Sequence, residues 1–224
     1  MLAISGVVTT TNRSSFLVNL DFSGLTIFPL SQLFRIRDIG LTNMPKHTRT
    51  LDELKGLGPG AVPTLLEALS VPRANPETPE GYVQNGLAND IAEALGAIGD
   101  ARAVEPLMAA GKDNIVSAPR ALAAFHDGIN ALIAGLDDPD QTIRATSIRG
   151  LAFATADRHR IAEVITRTLS DGSAWVRQTA AQAALIFEVA DPALVAELGR
   201  VIREDPDDKV RKMAENAHWK LADI

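Results

Sequence analysis

Asp138-Pro139-Asp140-Gln141-Thr142-Ile143-Arg144 recurs 33 residues later as Asp171-Gly172-Ser173-Ala174-Trp175-Val176-Arg177. After a further 34 it returns as Asp205-Pro206-Asp207-Asp208-Lys209-Val210-Arg211. Each copy keeps an Asp, five residues, and an aliphatic-Arg pair that opens an Ala-rich apolar run. A fixed period of about 20–50 residues marks a repeat array, in which one helical unit stacks on the next. The array predicts the architecture. It does not identify the molecule on which the chain acts, and no catalytic constellation accompanies it.

Working outward from that stretch, helical spacing fills the chain in both directions. Toward the C-terminus, Ile143, Ile148 and Leu151 predict a first helix, and Ile161, Val164, Ile165 and Leu169 a second one capped by Asp157. Val176, Ala180, Ala183, Ala184 and Phe187 begin the next pair. Asp191-Pro192 then opens a helix carrying Leu194, Val195, Leu198, Val201 and Ile202. The last helix runs from Lys209 to Leu221 and puts Lys212, Glu215, Asn216 and Lys220 where a capping element faces solvent. Toward the N-terminus, Ser117 to Leu136 reads as a shorter pair capped by Ser117, with Asp127-Gly128 as its turn. Leu87, Ile91, Ala94, Leu95 and Ile98 form a clear apolar face, closed by Gly96 and Gly99, before Asp100 caps the following helix. Pro72, Pro76 and Pro79 make Ser70 to Gly81 a non-helical inter-repeat loop. The first pair opens at Asn43 and continues through Pro59 to Leu69. The expected fold is therefore all-α: a right-handed α-α superhelix of about five helix pairs plus a C-terminal capping helix over residues 43–224.

Residues 1–42 read differently. They hold four of the seven Phe, and Phe16, Val18, Leu20 and Phe22 alternate before Ser23-Gly24, a hairpin signal. An irregular leader, a small hairpin or a disordered segment is expected there, outside the repeat domain.

Composition narrows the function. Hydrophobic residues make up 46% and charged residues 22%, a globular balance, while only 4% are aromatic, which favours helix over strand. The absence of cysteine excludes disulfides, thiolate nucleophiles and Cys-ligated zinc; a reducing, cytoplasmic setting is compatible and expected. No uncharged apolar run approaches the ~18–20 residues that span a bilayer, and no membrane partner is expected. The net charge is −6. Residues 1–46 set Arg13, Arg35, Arg37 and Lys46 against Asp21 and Asp38, so the body of the chain carries the acid. An acidic body repels phosphate backbones, and nucleic acid is not an expected partner.

The runs Glu53-Leu54-Lys55-Gly56-Leu57-Gly58-Pro59-Gly60-Ala61-Val62-Pro63 and Ala94-Leu95-Gly96-Ala97-Ile98-Gly99-Asp100-Ala101-Arg102-Ala103-Val104-Glu105-Pro106-Leu107 resemble the HEAT-repeat consensus, in particular the short HEAT-like repeats of the phycobilin lyases. The pairs Ile143-Arg144, Val176-Arg177 and Val210-Arg211 match the same pattern. The resemblance implies a ladder of Asp–Arg contacts between repeats. Ala88 and Val116-Ser117 stand where two of its arginines would be, so the ladder is expected only in the C-terminal half. Its staples would be Asp138, Arg144, Asp171, Arg177, Asp205 and Arg211, with each Asp also accepting N–H bonds at a helix start.

Four histidines, His47, His126, His159 and His218, show no metal-ligand spacing. That argues against the iron-binding HEAT-repeat hydroxylases, whose family pattern uses paired His-Glu. No catalytic, metal or cofactor residue is assigned and no cofactor is expected. The carboxylate clusters at Asp137–Asp140 and Glu204–Asp208 fall in turns at helix starts, where the macrodipole stabilises them. The surface that varies between repeats is the second-helix face, which carries Arg160, Glu163, Arg167, Glu197, Arg200 and Arg203. Trp175 is added as a possible hot-spot aromatic. The expected function is a non-enzymatic scaffold that binds a partner protein on the concave face. The alternatives are a bilin lyase-like chromophore-handling subunit, as the resemblance permits, and a nucleic-acid-binding HEAT-like protein.

Overall fold

Thr78 starts the first long helix. Its Oγ1 accepts the Gly81 N–H at 3.1 Å, and Pro79 follows in the first turn, where its missing N–H costs no helical bond. In the computed structural model, which describes residues 51, 54–72, 75 and 77–222, ten α-helices follow one another without a strand among the described residues. We number them α1 (Val62–Leu69), α2 (Pro79–Ile98), α3 (Val104–Lys112), α4 (Ser117–Leu122), α5 (His126–Gly135), α6 (Gln141–Leu151), α7 (Arg158–Thr168), α8 (Ala174–Phe187), α9 (Pro192–Glu204) and α10 (Asp208–Ala222). Short 3-10 turns, Pro59–Ala61 and Ala101–Ala103, lead into α1 and α3. The leader 1–42, and the start of the first helix at Asn43, lie outside the described residues.

The helices form two layers. First helices α2, α4, α6, α8 and α10 pack on one another in order. Second helices α1, α3, α5, α7 and α9 form the other layer, each packed on the first helix that follows it. Leu95, Leu107, Leu122, Leu132, Ile148, Leu151, Ile161, Ile165, Leu194 and Leu198 are fully buried. Each such side chain contributes about 1.5–3 kcal/mol relative to exposure. The Ala-rich run of α8 has its reason here. α8 meets α6, α7 and α10, and Ala180, Ala181, Ala183 and Ala184 are all buried, small enough for three neighbours to approach. The fold is an all-α, HEAT-like solenoid.

The recurring motif builds the joints of this stack. Asp138, Asp171 and Asp205 each accept, through Oδ1, the N–H two residues on, at 2.7, 2.8 and 2.9 Å. Arg144 donates from Nε and Nη2 to both oxygens of Asp171, at 2.9 and 3.0 Å, and from Nη1 to the carbonyl of Asp138 at 2.9 Å. Arg177 repeats the pattern, with Nε and Nη2 on Asp205 at 2.7 and 2.9 Å and Nη1 on the Asp171 carbonyl at 2.9 Å. Arg211 keeps its Nη1 on the Asp205 carbonyl at 2.6 Å and turns its fork to Asp208 of its own helix. One Asp thus folds its own turn, receives the preceding repeat's guanidinium and holds its own Arg by its carbonyl. The bidentate pairs are well shielded: the side chains of Arg177 and Asp205 are 13% and 5% exposed.

Several details differ from the sequence reading. Asp138, Asp171 and Asp205 do not cap the helices that follow. The caps stand two residues later, where Asp140 accepts the Thr142 N–H at 2.8 Å and Asp207 accepts those of Lys209 and Val210 at 2.8 and 3.2 Å. Asp157 makes no side-chain cap bond either; it takes a left-handed conformation with φ 52°. α2 begins at Pro79, so the loop expected to reach Gly81 stops at Thr78. Asp127-Gly128 is the first turn of α5 and not the turn before it, because the chain breaks at Phe125. Ser117 does not cap α4. Its own N–H donates to Asn89 Oδ1 at 2.8 Å, a bond from α2 that joins two repeats where no Asp–Arg pair exists. Gly99 ends α2 in the left-handed region at φ 71°, its N–H on the Leu95 carbonyl. Gly96, expected to help close the helix, lies inside it against α4.

The joints carry a pH signature. Arg177 holds the Asp205 carboxyl below its ordinary value, against the opposing effect of burial. At Asp171 burial pushes upward, and the Arg144 fork with the Ser173 N–H more than offsets it. Asp140 is lowered from 3.8 to about 2, first by the Thr142 N–H and then by Lys112. A carboxylate with a depressed folded pKa adds stability above its unfolded pKa and loses it as pH falls through the folded one. The unfolding free energy should therefore be steady above the carboxylate range and fall between pH 3.8 and about 2. Chemical denaturation at a series of pH values checks this; a profile flat to pH 2 would contradict it.

Candidate binding surface of the second helices

α7 and α9 stand side by side in the second-helix layer, amphipathic, with Ile161, Ile165, Leu194, Leu198 and Val201 turned to the core. Asp191 fixes the start of α9 by accepting the N–H groups of Ala193 and Leu194 at 2.9 and 3.2 Å, with Pro192 in the first turn. The opposite faces hold the charged residues. Arg200 donates from Nη2 to Glu197 Oε1 at 2.6 Å, from Nη1 to Glu204 at 3.3 Å and from Nη2 to Ser170 Oγ at 3.1 Å. Ser170 Oγ also donates to Glu197 Oε1 at 3.2 Å, so the net ties the end of α7 to the middle of α9. Arg200 first, against partial burial, holds Glu197 below its ordinary carboxyl value. Glu197 above all raises Arg200 in turn. Both stay charged across the physiological range.

The other candidates spread outward from that net. Arg167 reaches Asp137 of the preceding repeat at 3.6 Å. Arg160 donates to Asn130 Oδ1 at 3.3 Å and lies 4.0 Å from Asp157. Glu163 is 3.3 Å from His159, whose other ring nitrogen is 3.6 Å from Asp191. Arg203 is exposed. Trp175 does not join this group. It stands at the start of α8, in the first-helix layer, 46% exposed.

Ser170 was not singled out from the sequence, and Asp137 and Glu204 were read there as members of carboxylate clusters at helix starts, not as partners of these arginines. Glu204 had a signal, because Glu197 and Glu204 flank Arg200 at i−3 and i+4, the spacings at which helical side chains meet. Asp137 and Ser170 act between repeats, and no spacing along the chain points to them. Arg158 is taken up by structure: Nη2 donates to the Phe187 carbonyl at 2.9 Å, and its guanidinium lies 4.7 Å over the Phe187 ring.

Among the described residues no group of three or more His, Cys, Asp and Glu is placed to hold a metal ion. His126 faces Asn130 at 3.0 Å, and His218 packs edge-on to Trp219. No helix among the described residues is long and apolar enough to cross a membrane.

The paired helices and their inter-repeat joints define an α-solenoid, and residues 129–218 match the family model for HEAT repeats. No curated protein matches the sequence. Among solved structures, similar chains include an engineered protein (21% identity, 82% of this chain and 94% of that one, TM-score 0.45). Another is a designed armadillo repeat protein (19%, 77% and 86%, TM-score 0.42). A third is human deoxyhypusine hydroxylase (17%, 80% and 80%, TM-score 0.41).

Proposed function

We propose that the chain is a non-enzymatic scaffold that holds a partner protein against the exposed faces of α7 and α9, and that it does so in the cytoplasm. One observation carries this reading: the Ser170–Glu197–Arg200–Glu204 net, which holds charged side chains in place across two repeats before any partner arrives. Side chains already ordered lose little entropy on association, so a mixed-charge face of this kind favours specific protein recognition. The same net weighs against a phosphate track, because Arg200 is neutralised by two glutamates.

A photo-crosslinking residue at exposed Ala196 on α9, in the cell that makes the protein, tests the proposal. One protein should be captured there and not from exposed Lys212 on α10. Arg203→Glu should weaken that complex about tenfold, the scale of a rim charge reversal. Equal capture from Lys212, or an unchanged affinity in Arg203→Glu, would contradict it.

A further inference from the structure

The chain has a net charge of −6, yet α4, α6 and α8 contain no Asp or Glu. Arg144 and Arg177 on these helices are taken up by the inter-repeat joints. Arg120 and Arg149 are not. Arg120 is exposed, with its guanidinium 5.4 Å over the Phe153 ring, and it meets no carboxylate among the described residues. Among the described residues Arg149 makes one long contact, Nη2 to Thr146 Oγ1 at 3.5 Å, and its buried Nε finds no partner.

Apolar side chains stand exposed in the same layer. Phe153 and Ile186 are 40% and 39% exposed. Each lies nine residues after its repeat's Arg, so they hold equivalent positions at the ends of the packed neighbours α6 and α8. Arg149 and Gln182 are equivalent in the same way, five residues after Arg144 and Arg177. By contrast, α3, α5, α7 and α9 expose no large apolar side chain. Around α4, α6 and α8 the first-helix layer thus differs from the paired charges of α7 and α9: Arg120 and Arg149, which meet no carboxylate among the described residues, stand beside exposed apolar side chains.

We propose that the C-terminal ends of α6 and α8, with Arg120 beside them, form a second docking surface for an acidic peptide segment bearing apolar side chains. Carboxylates of the segment would pair with Arg120 and Arg149, and its apolar groups would cover Phe153 and Ile186. Charge complementarity selects this occupant. Among the described residues the two cations meet no carboxylate, although the chain is acidic, and they are interleaved with apolar groups that a phosphate backbone would leave uncovered. Residues 1–46, with four basic residues against two acidic ones, have the wrong sign to fill the strip.

The probe is a labelled synthetic peptide alternating Glu and Leu, titrated by fluorescence anisotropy against the full chain. It should bind, release with added salt, and lose about tenfold in affinity with Arg120→Glu and with Phe153→Ser, as expected when an anchor of a small interface is removed. Gln182 is exposed and outside the core, so Gln182→Arg should tighten binding and Gln182→Glu weaken it without a change in melting temperature. Arg203→Glu, on the other layer, should have no effect, which separates this surface from the one on α7 and α9. The proposal is overturned if the peptide does not bind or if a Lys-Leu peptide binds equally well. It is also overturned if duplex DNA competes equally, or if the signal comes only from self-association of the chain.

Discussion

Arg177→Ala should lower the unfolding free energy by about 3 kcal/mol, because it strands the Asp205 carboxylate in a largely buried joint. Asp205 would keep only the Asp207 N–H on its oxygens, having lost both charged bonds of the fork. The Asp171 carbonyl would lose its Nη1 donor as well. Lys220→Ala provides the contrast. Lys220 also pairs across repeats, with Glu188, but those two side chains are 45% and 51% exposed. Solvent screens such a pair, and its loss should cost under about 1 kcal/mol. Urea unfolding followed by far-ultraviolet circular dichroism measures both; equal midpoint shifts would remove the stapling role from Arg177.

Gly96→Ala should destabilise the protein by about 1–3 kcal/mol, although the same change in an open helix gains roughly 1 kcal/mol in propensity. A Cβ at Gly96 would lie 2.7 Å from both the Cα and the carbonyl oxygen of Ala121 on α4, and neither backbone atom can swing away. The N-terminal repeats lack the Asp–Arg joint. They rely on this close approach of α2 to α4, with the Asn89–Ser117 bond nearby. The sign of the effect is the test: a higher melting temperature in Gly96→Ala would show that α2 and α4 have room to separate.

The periodic Asp and Arg of the C-terminal half were legible because each repeat writes them at one spacing, and repetition makes a structural role visible. The division of labour among the aspartates was not. Asp138-Pro139-Asp140 and Asp205-Pro206-Asp207 each hold two carboxylates that accept an N–H two residues on, and only the second of each pair stands at the helix start. In the middle copy Ser173 takes that place and makes no cap bond, which hides the pattern further. Pro79 was read as a breaker, although proline is as compatible with a first turn there as at Pro192.

The charged faces of α7 and α9 followed from helical periodicity. Which charge meets which did not, because long side chains choose partners across repeats as readily as along a helix. The exposure of Phe153 and Ile186 escaped notice for another reason. Apolar residues near a helix end read as core, and only the packed neighbours reveal that these two stay part-exposed among the described residues.

The fork between successive repeats is the joint on which the account of the C-terminal half depends, since it fixes the frame that displays α7 and α9. A double-mutant cycle on Arg177→Ala and Asp205→Asn, measured by chemical denaturation, isolates that joint. The account predicts a coupling energy of about 2 kcal/mol or more, within the range for residues sharing a hydrogen-bonded ion pair. Additive effects, with coupling below about 0.5 kcal/mol, would contradict it.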